Sequence, residues 1–270
     1  MRSRDWVCLT VILAWLGSAA VAPLVLPTAT AVDLTRMFAR PQWALWLGAD
    51  DLGRAIAPRV ISGAGVSCPV ALLVVAISFS VGSVLGITCA WCGGRLDFIG
   101  MRVMDACLAF PGILLAIALA GIMGPGLGNV VIALCSIGWV GFARLARAQT
   151  LSVKHREHVL VAEAMGVRPD HILMRHVWPL VLAPLLVEAS FAFASAIAAE
   201  AGMSFLGLGV QPPTPSWGSM LREAAQFLLI APHLMLGPAL AIVSLVFSVQ
   251  ILGERLRAHL QFENHETARP

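Results

Sequence analysis

The residues from which chemistry could first be expected are two carboxylates, Glu188 and Glu200, within and just beyond an apolar run at 177–199 that is otherwise uncharged. A carboxylate at membrane depth costs roughly 2.5–3.5 kcal/mol or more, so such groups face a cavity, a partner or the interface. Along a helix the two would stand about 18 Å apart, too far for one shared binding site. Glu188 is therefore a candidate for lining a pathway, and Glu200 for a structural or gate-proximal role. Cys89-Ala90-Trp91-Cys92 has the spacing of redox and metal motifs, but it has neither a βαβ setting nor a second pair. All six cysteines (Cys8, Cys68, Cys89, Cys92, Cys107 and Cys135) lie in or beside apolar runs, where cysteine behaves as a small hydrophobe. His155, His158, His171 and His176 fall in one charged segment. The first two are spaced to share a helix face, yet no carboxylate or cysteine cluster completes a metal site. No nucleophile pairs with a base. Lys154, flanked by Val153 and His155, is the only lysine, so no G-x-x-x-x-G-K-[ST] phosphate loop exists. The expectation is a chain with no catalytic residue, no metal and no cofactor of its own.

The elements that carry these residues are apolar. Of 270 residues, 59% are hydrophobic and 12% charged, and the mean hydropathy is +0.84. A water-facing surface needs roughly a quarter of its residues charged, so lipid must solvate much of this chain. A net charge of +3 is too small to indicate nucleic acid. A span needs roughly 17–25 apolar residues, and six fit: 7–26, 68–91, 106–123, 127–142, 177–199 and 234–252. Gly63, Gly65 and Pro69 argue for the late start of the second span. Gly124-Pro125-Gly126 argues for a turn between the third and fourth. An N-in, C-in arrangement puts 13 of the 18 Lys and Arg inside and leaves Arg36, Arg40, Arg54, Arg59 and Arg222 outside, as the positive-inside rule requires. Arg2, Arg4 and the following apolar stretch imitate a cleavable signal, but that stretch is longer than a signal core, so retention is expected. The chain thus divides into an N-terminal helix with an outer segment (1–66), a five-helix core (67–253) and a cytoplasmic tail (254–270).

Two connections stand out. The inner segment 143–179 carries six basic residues, three acidic ones and four histidines, and loops of this length usually have function or structure of their own. Its spacing predicts a helix over 157–165, a reversal at Gly166, and a second helix opened by Pro169. Val159, Ala162, Ala164 and Met165 would be the small apolar knobs of a docking surface; a solvated cationic loop is the plainer alternative. On the other side, 204–218 (SFLGLGVQPPTPSWG) unlocks at Gly207 and Gly209 and stiffens at Pro212, Pro213 and Pro215. Trp217 there suits a membrane–water boundary.

Glu157 to Gly166 (EHVLVAEAMG) followed by Arg175 to Pro179 (RHVWP) resembles the "EAA" loop of ABC-importer permeases. Gly166 and Pro179 hold the family spacing; of the triplet at Leu160, Val161 and Ala162, only Ala162 matches. The run 204–218 is similar to the outer-loop signature of peptide- and nickel-type permeases, the dipeptide, oligopeptide and nickel "C" subunits. The stretches at 48–54 (GADDLGR), 93–97 (GGRLD), 101–105 (MRVMD) and 109–111 (AFP) agree with it. Two departures are Ala55, in place of the usual acid, and Pro58, in a part that is usually helical.

The resemblance implies an all-α, six-span permease of the type I ABC-importer fold in a bacterial inner membrane, importing short peptides or nickel. Its coupling residues would be Glu157, Leu160, Val161, Ala162, Glu163, Gly166, His176 and Pro179. Its outer signature or gate would be Ser204, Phe205, Gly207, Gly209, Pro212, Pro213 and Trp217. It also implies partners: a second homologous permease, one or two cytoplasmic ATPases that use ATP and Mg, and an extracytoplasmic binding protein. The rival readings are a lone ion-coupled carrier using Glu188, and a non-transporting scaffold; carriers of the first kind usually show internal repeats, and none is visible.

Overall fold

In lipid a backbone must satisfy its own hydrogen bonds, and apolar runs of this length do so as helices. The computed structural model describes residues 3–43 and 45–266, with side chains as far as Leu260. Arg2, Arg269 and the end of the tail (267–270) lie outside the described residues. The helices are α1 (Ser3–Thr30), α2 (Ile56–Cys92), α3 (Gly94–Leu108), α4 (Gly112–Met123), α5 (Leu127–Lys154), α6 (Glu157–Ala164), α7 (Pro169–Ile172), α8 (Trp178–Phe205), α9 (Trp217–Gln226) and α10 (His233–Glu266). Among the described residues five stretches are long and apolar enough to cross a membrane, and a sixth crossing results if α3 and α4, bent by 80° to one another, count as one span.

Three boundaries differ from expectation. The third span is not one helix over 106–123: it breaks at Ala109–Pro111, and α4 starts at Gly112. Pro111 has no N–H to donate and disfavours the helical conformation of Phe110. The second span starts at Ile56 rather than Cys68, with Pro58 inside its first turn, where an N–H would have no intrahelical partner anyway. Gly63 does not break this helix but clears room for a neighbour, since a Cβ there would stand 3.0 Å from the Trp217 ring. Finally, α5 continues to Lys154, so most of the charged inner segment is helical rather than loop.

The packing is built around α2. Gly82 and Gly86 bring its backbone directly against the α5 carbonyls of Trp139 and Ala143, the small-xxx-small contact by which membrane helices approach closely. α1 packs along the outside of the bundle by one face: Trp15 meets Trp217 edge-on at 5.1 Å and donates to Ser244 Oγ at 3.0 Å. At the basic end of the helices, α3 lies across α2 and α5, with Met104 buried against Cys89, Val140 and Ala143. Asp97 pairs with Arg147 there at 2.5 Å, and Lys154 Nζ donates to the Trp91 carbonyl at 2.9 Å.

Candidate functional site

At the basic end, the chain leaves α5 at His155 and forms α6. Val159 is fully buried and Ala162 nearly so, both within the main core. That corrects the expected docking face. Two of its four knobs point inward and anchor α6, while Leu160, Val161 and Met165 are exposed, Met165 at 77%, with Glu157, Glu163 and Ala164 also exposed. Gly166 turns the chain at φ +74, its N–H donating to the Glu163 carbonyl at 3.0 Å while the Val167 N–H reaches Ala162 at 3.1 Å. This is a left-handed helix end of the kind that glycine serves. Pro169 opens α7 at a helix start. A π-helical turn, Leu173–Val177, then joins α7 to α8 without a break, with the Trp178 N–H bonding to the Leu173 carbonyl. Pro179, at the start of α8, cannot donate, and a π turn is a common way to carry a helix past such a gap. The His176 ring lies 6.0 Å from that of His158, linking the π turn to α6. His155 and His158 do not share a helix face, because α5 ends at Lys154 and α6 begins at Glu157. Cys89 is buried and Cys92 exposed, both as free thiols.

At the opposite end, the signature 204–218 folds onto α8 and leads into α9. Glu200 is fully buried; Ser204 Oγ donates to its Oε1 at 2.7 Å, and the hydroxyls of Ser67 and Ser216 stand beside the same carboxyl. Gly209 passes so close to Ser204 that no Cβ would fit, and Gly207, at φ +86, lies against the Arg222 guanidinium. Gln211 donates to the Gly207 and Gly209 carbonyls at 3.1 and 3.0 Å. Ser216 caps α9 in a reciprocal bond with Ser219. Phe205, Pro212 and Pro213 are exposed. Trp217 is not a boundary residue: it is fully buried, with its Nε1–H donating to the Val60 carbonyl at 2.9 Å. Its neighbours on α1 and α2 are remote in sequence, so its composition-based placement had no access to them.

Sequence reasoning missed one cluster at this end. Asp50 (2% exposed), Arg54 (7%) and Arg59 (3%) are buried together. Arg54 Nε reaches Asp50 at 2.7 Å, Arg59 contacts the same carboxylate, and Arg59 and Arg54 reach Glu223 at 2.8 and 3.3 Å. The carboxylates of Asp50, Asp51 and Glu223 lie within cation-binding distance of one another, but the guanidiniums of Arg54 and Arg59 already contact all three. The network ties the outer segment to α2 and α9. Four charges within 48–59 (Asp50, Asp51, Arg54 and Arg59, beside an apolar span) were its visible signal. Nearby, the Thr35 hydroxyl donates to Asp33 at 2.5 Å and holds that carboxyl below its usual range.

Between the two ends lie two cavities. One, about 350 Å³, is lined by α2, α4, α5 and α8; the other, about 540 Å³, lies toward the basic end and reaches Gln149, Arg156 and Arg257. Glu188 and Phe191, one turn apart on α8, line both. Glu188 and Glu200 share a helix but not a site: one borders open space and the other is sealed among serines.

Residues 82–262 match the family described as binding-protein-dependent transport system inner membrane component. The chain is 41% identical over 225 residues to the glutathione transport system permease protein GsiD of Pectobacterium atrosepticum, covering 83% of this chain and 75% of that one. It is 36% identical over 250 residues to the dipeptide transport system permease protein DppC of Alkalihalophilus pseudofirmus, covering 92% and 82%. A solved chain of the MetNI methionine ABC transporter in inward-facing conformations superposes with a TM-score of 0.61 at 18% identity, over 74% of this chain and 95% of that one.

Proposed function

Because the chain belongs to the family of binding-protein-dependent transport system inner membrane components, and is thus a multi-pass permease subunit of a bacterial ATP-driven importer with the type I fold, we propose that it carries short peptides, of the dipeptide or glutathione class, as half of a translocation pathway. The 36–41% identity to a dipeptide and a glutathione permease favours peptides over nickel. A second, homologous permease completes the pathway. The chain binds no cofactor; ATP and Mg are used by cytoplasmic ATPases, and an extracytoplasmic binding protein delivers the substrate. The lone-carrier reading falls with family membership.

The observation that carries the coupling half of this proposal is α6. It is anchored through Val159 and Ala162, it offers Leu160, Val161 and Met165 to an incoming partner, and it runs through Gly166 and the π turn into α8, the helix that lines both cavities. A push on α6 therefore reaches Glu188 and Phe191 without crossing a flexible linker. Closure of the ATPases would move the coupling helices together and open the pathway outward; hydrolysis would reset it. Glu157 and Glu163 flank the contact, and His176 braces it against His158.

The test is uptake of glutathione and of dialanine into vesicles bearing the complete transporter, with the ATPase intact or inactivated at its phosphate-binding lysine. Uptake of at least one peptide should fall to background when the ATPase is dead. Undiminished uptake would overturn the coupling, and uptake of neither peptide by the intact complex would overturn the substrate class.

A further inference from the structure

Resting on the peptide reading above, we propose that Glu188 is the point inside the pathway that recognises the free ammonium group of the substrate. Among the described residues Glu188 is the only charged one lining the smaller cavity; around it the lining is apolar apart from Ser78 and Ser195. It makes no hydrogen bond or ion pair with any other described residue. A carboxylate held among apolar walls without a partner is costly, and the cost is relieved when a cation occupies the space in front of it. The ammonium of a peptide fits that need through a charge-assisted hydrogen bond. Phe191, one turn along the same helix, lines the same two cavities and offers an aromatic face at the same level.

The charges along the path are ordered. Glu188 stands where the two cavities meet, and the wider cavity ends at Arg156 and Arg257 near the basic face. A zwitterionic peptide thus meets a carboxylate at the waist and guanidiniums toward the exit, one for each of its ends. A substrate lacking the amine would find the waist carboxylate unpaired and would gain nothing from it.

The experiment uses the complete transporter in proteoliposomes and compares ATP-dependent uptake of trialanine with that of N-acetyl-trialanine. In Glu188→Gln, trialanine uptake should fall by about tenfold or more, as expected for loss of a hydrogen bond to a charged group, and N-acetyl-trialanine uptake by at most about twofold. Glu188→Asp, which keeps the charge, should retain most trialanine uptake. If the wild type does not carry the acetylated peptide, the contrast between the Gln and Asp variants on trialanine decides. Wild-type trialanine uptake by Glu188→Gln would overturn the proposal, as would equal loss of both peptides. Failure of Glu188→Gln to copurify with the second permease, with assembly restored in Glu188→Asp, would instead assign the carboxylate to a subunit ion pair and also overturn it. A wild type that carries dialanine but not trialanine is tested in the same way with dialanine and its N-acetyl form; absence of uptake of trialanine, dialanine and glutathione alike removes the peptide reading, and this inference with it.

Discussion

Gly166 offers a test of backbone conformation alone, because nothing lies within 4 Å of the Cβ it lacks while its φ is +74. A β-branched residue resists that conformation by about 1–2 kcal/mol, whereas asparagine tolerates it. Gly166→Val should therefore lower ATP-coupled uptake several-fold with unchanged membrane insertion, and Gly166→Asn should keep most of it. Normal uptake by the valine variant would remove the elbow from the mechanism. Glu200 poses a different question, since its surroundings are sealed. Glu200→Ala deprives Ser204 of its 2.7 Å acceptor and opens a void among hydroxyls. A loss of about 1–3 kcal/mol is expected for orphaned buried polar groups. It would be read as a lower melting midpoint of the purified complex in detergent, with Glu200→Gln in between. An unchanged midpoint in the alanine variant would mean that the serines find other partners.

At the level of elements, the outer segment and α9 are held to α2 by ions, and the bundle is held at α2 and α5 by the absence of side chains. Removing one member of a buried ion group leaves the others uncompensated, at a cost of roughly 3–5 kcal/mol. Arg59→Met should fall near the lower end, because Arg54 still contacts both Asp50 and Glu223. Faster protease cleavage within 31–55 would report it, and cleavage at the wild-type rate would show that Arg54 alone suffices. A Cβ at Gly86 would stand 2.9 Å from the carbonyl carbon of Ala143. Gly86→Leu should therefore part α2 from α5 and sharply reduce the amount of folded protein in the membrane; normal accumulation would contradict the close contact. The bend between α3 and α4 follows from Pro111, and it lets α3 lie amphipathically across the bundle while α4 completes the crossing.

For the whole molecule, the helix ends sort by charge. Arg147, Lys154 and Arg255 gather with Asp5 and Asp97 at one end, while the Arg54–Arg59 network and α9 occupy the other. If the basic end is cytoplasmic, native Cys92, which is exposed at that end, should resist a membrane-impermeant maleimide added to intact cells. A cysteine replacing Leu229, 99% exposed in the connection to α10, should react from outside. The reverse pattern would invert the topology. In the function proposed above, the cavities beside α8 are the part of the conduit that this chain supplies.

The number and approximate place of the crossings were legible in the sequence, because lipid leaves an apolar stretch of about 20 residues little choice but helix. The Gly166 reversal was legible because positive φ selects glycine. The places where tertiary structure decided otherwise share one cause. Whether a glycine breaks a helix or seats a neighbour depends on what lies across from it: Gly63 meets Trp217, a residue 154 positions away. Which face of α6 is a dock depends on where the core lies, and the core took Val159 and Ala162. Two glutamates twelve residues apart on one helix read alike along the chain. Only the packing of α2, α5 and α9 around α8 made one a sealed brace and left the other facing open space, because burial is a property of neighbours and not of the residue itself.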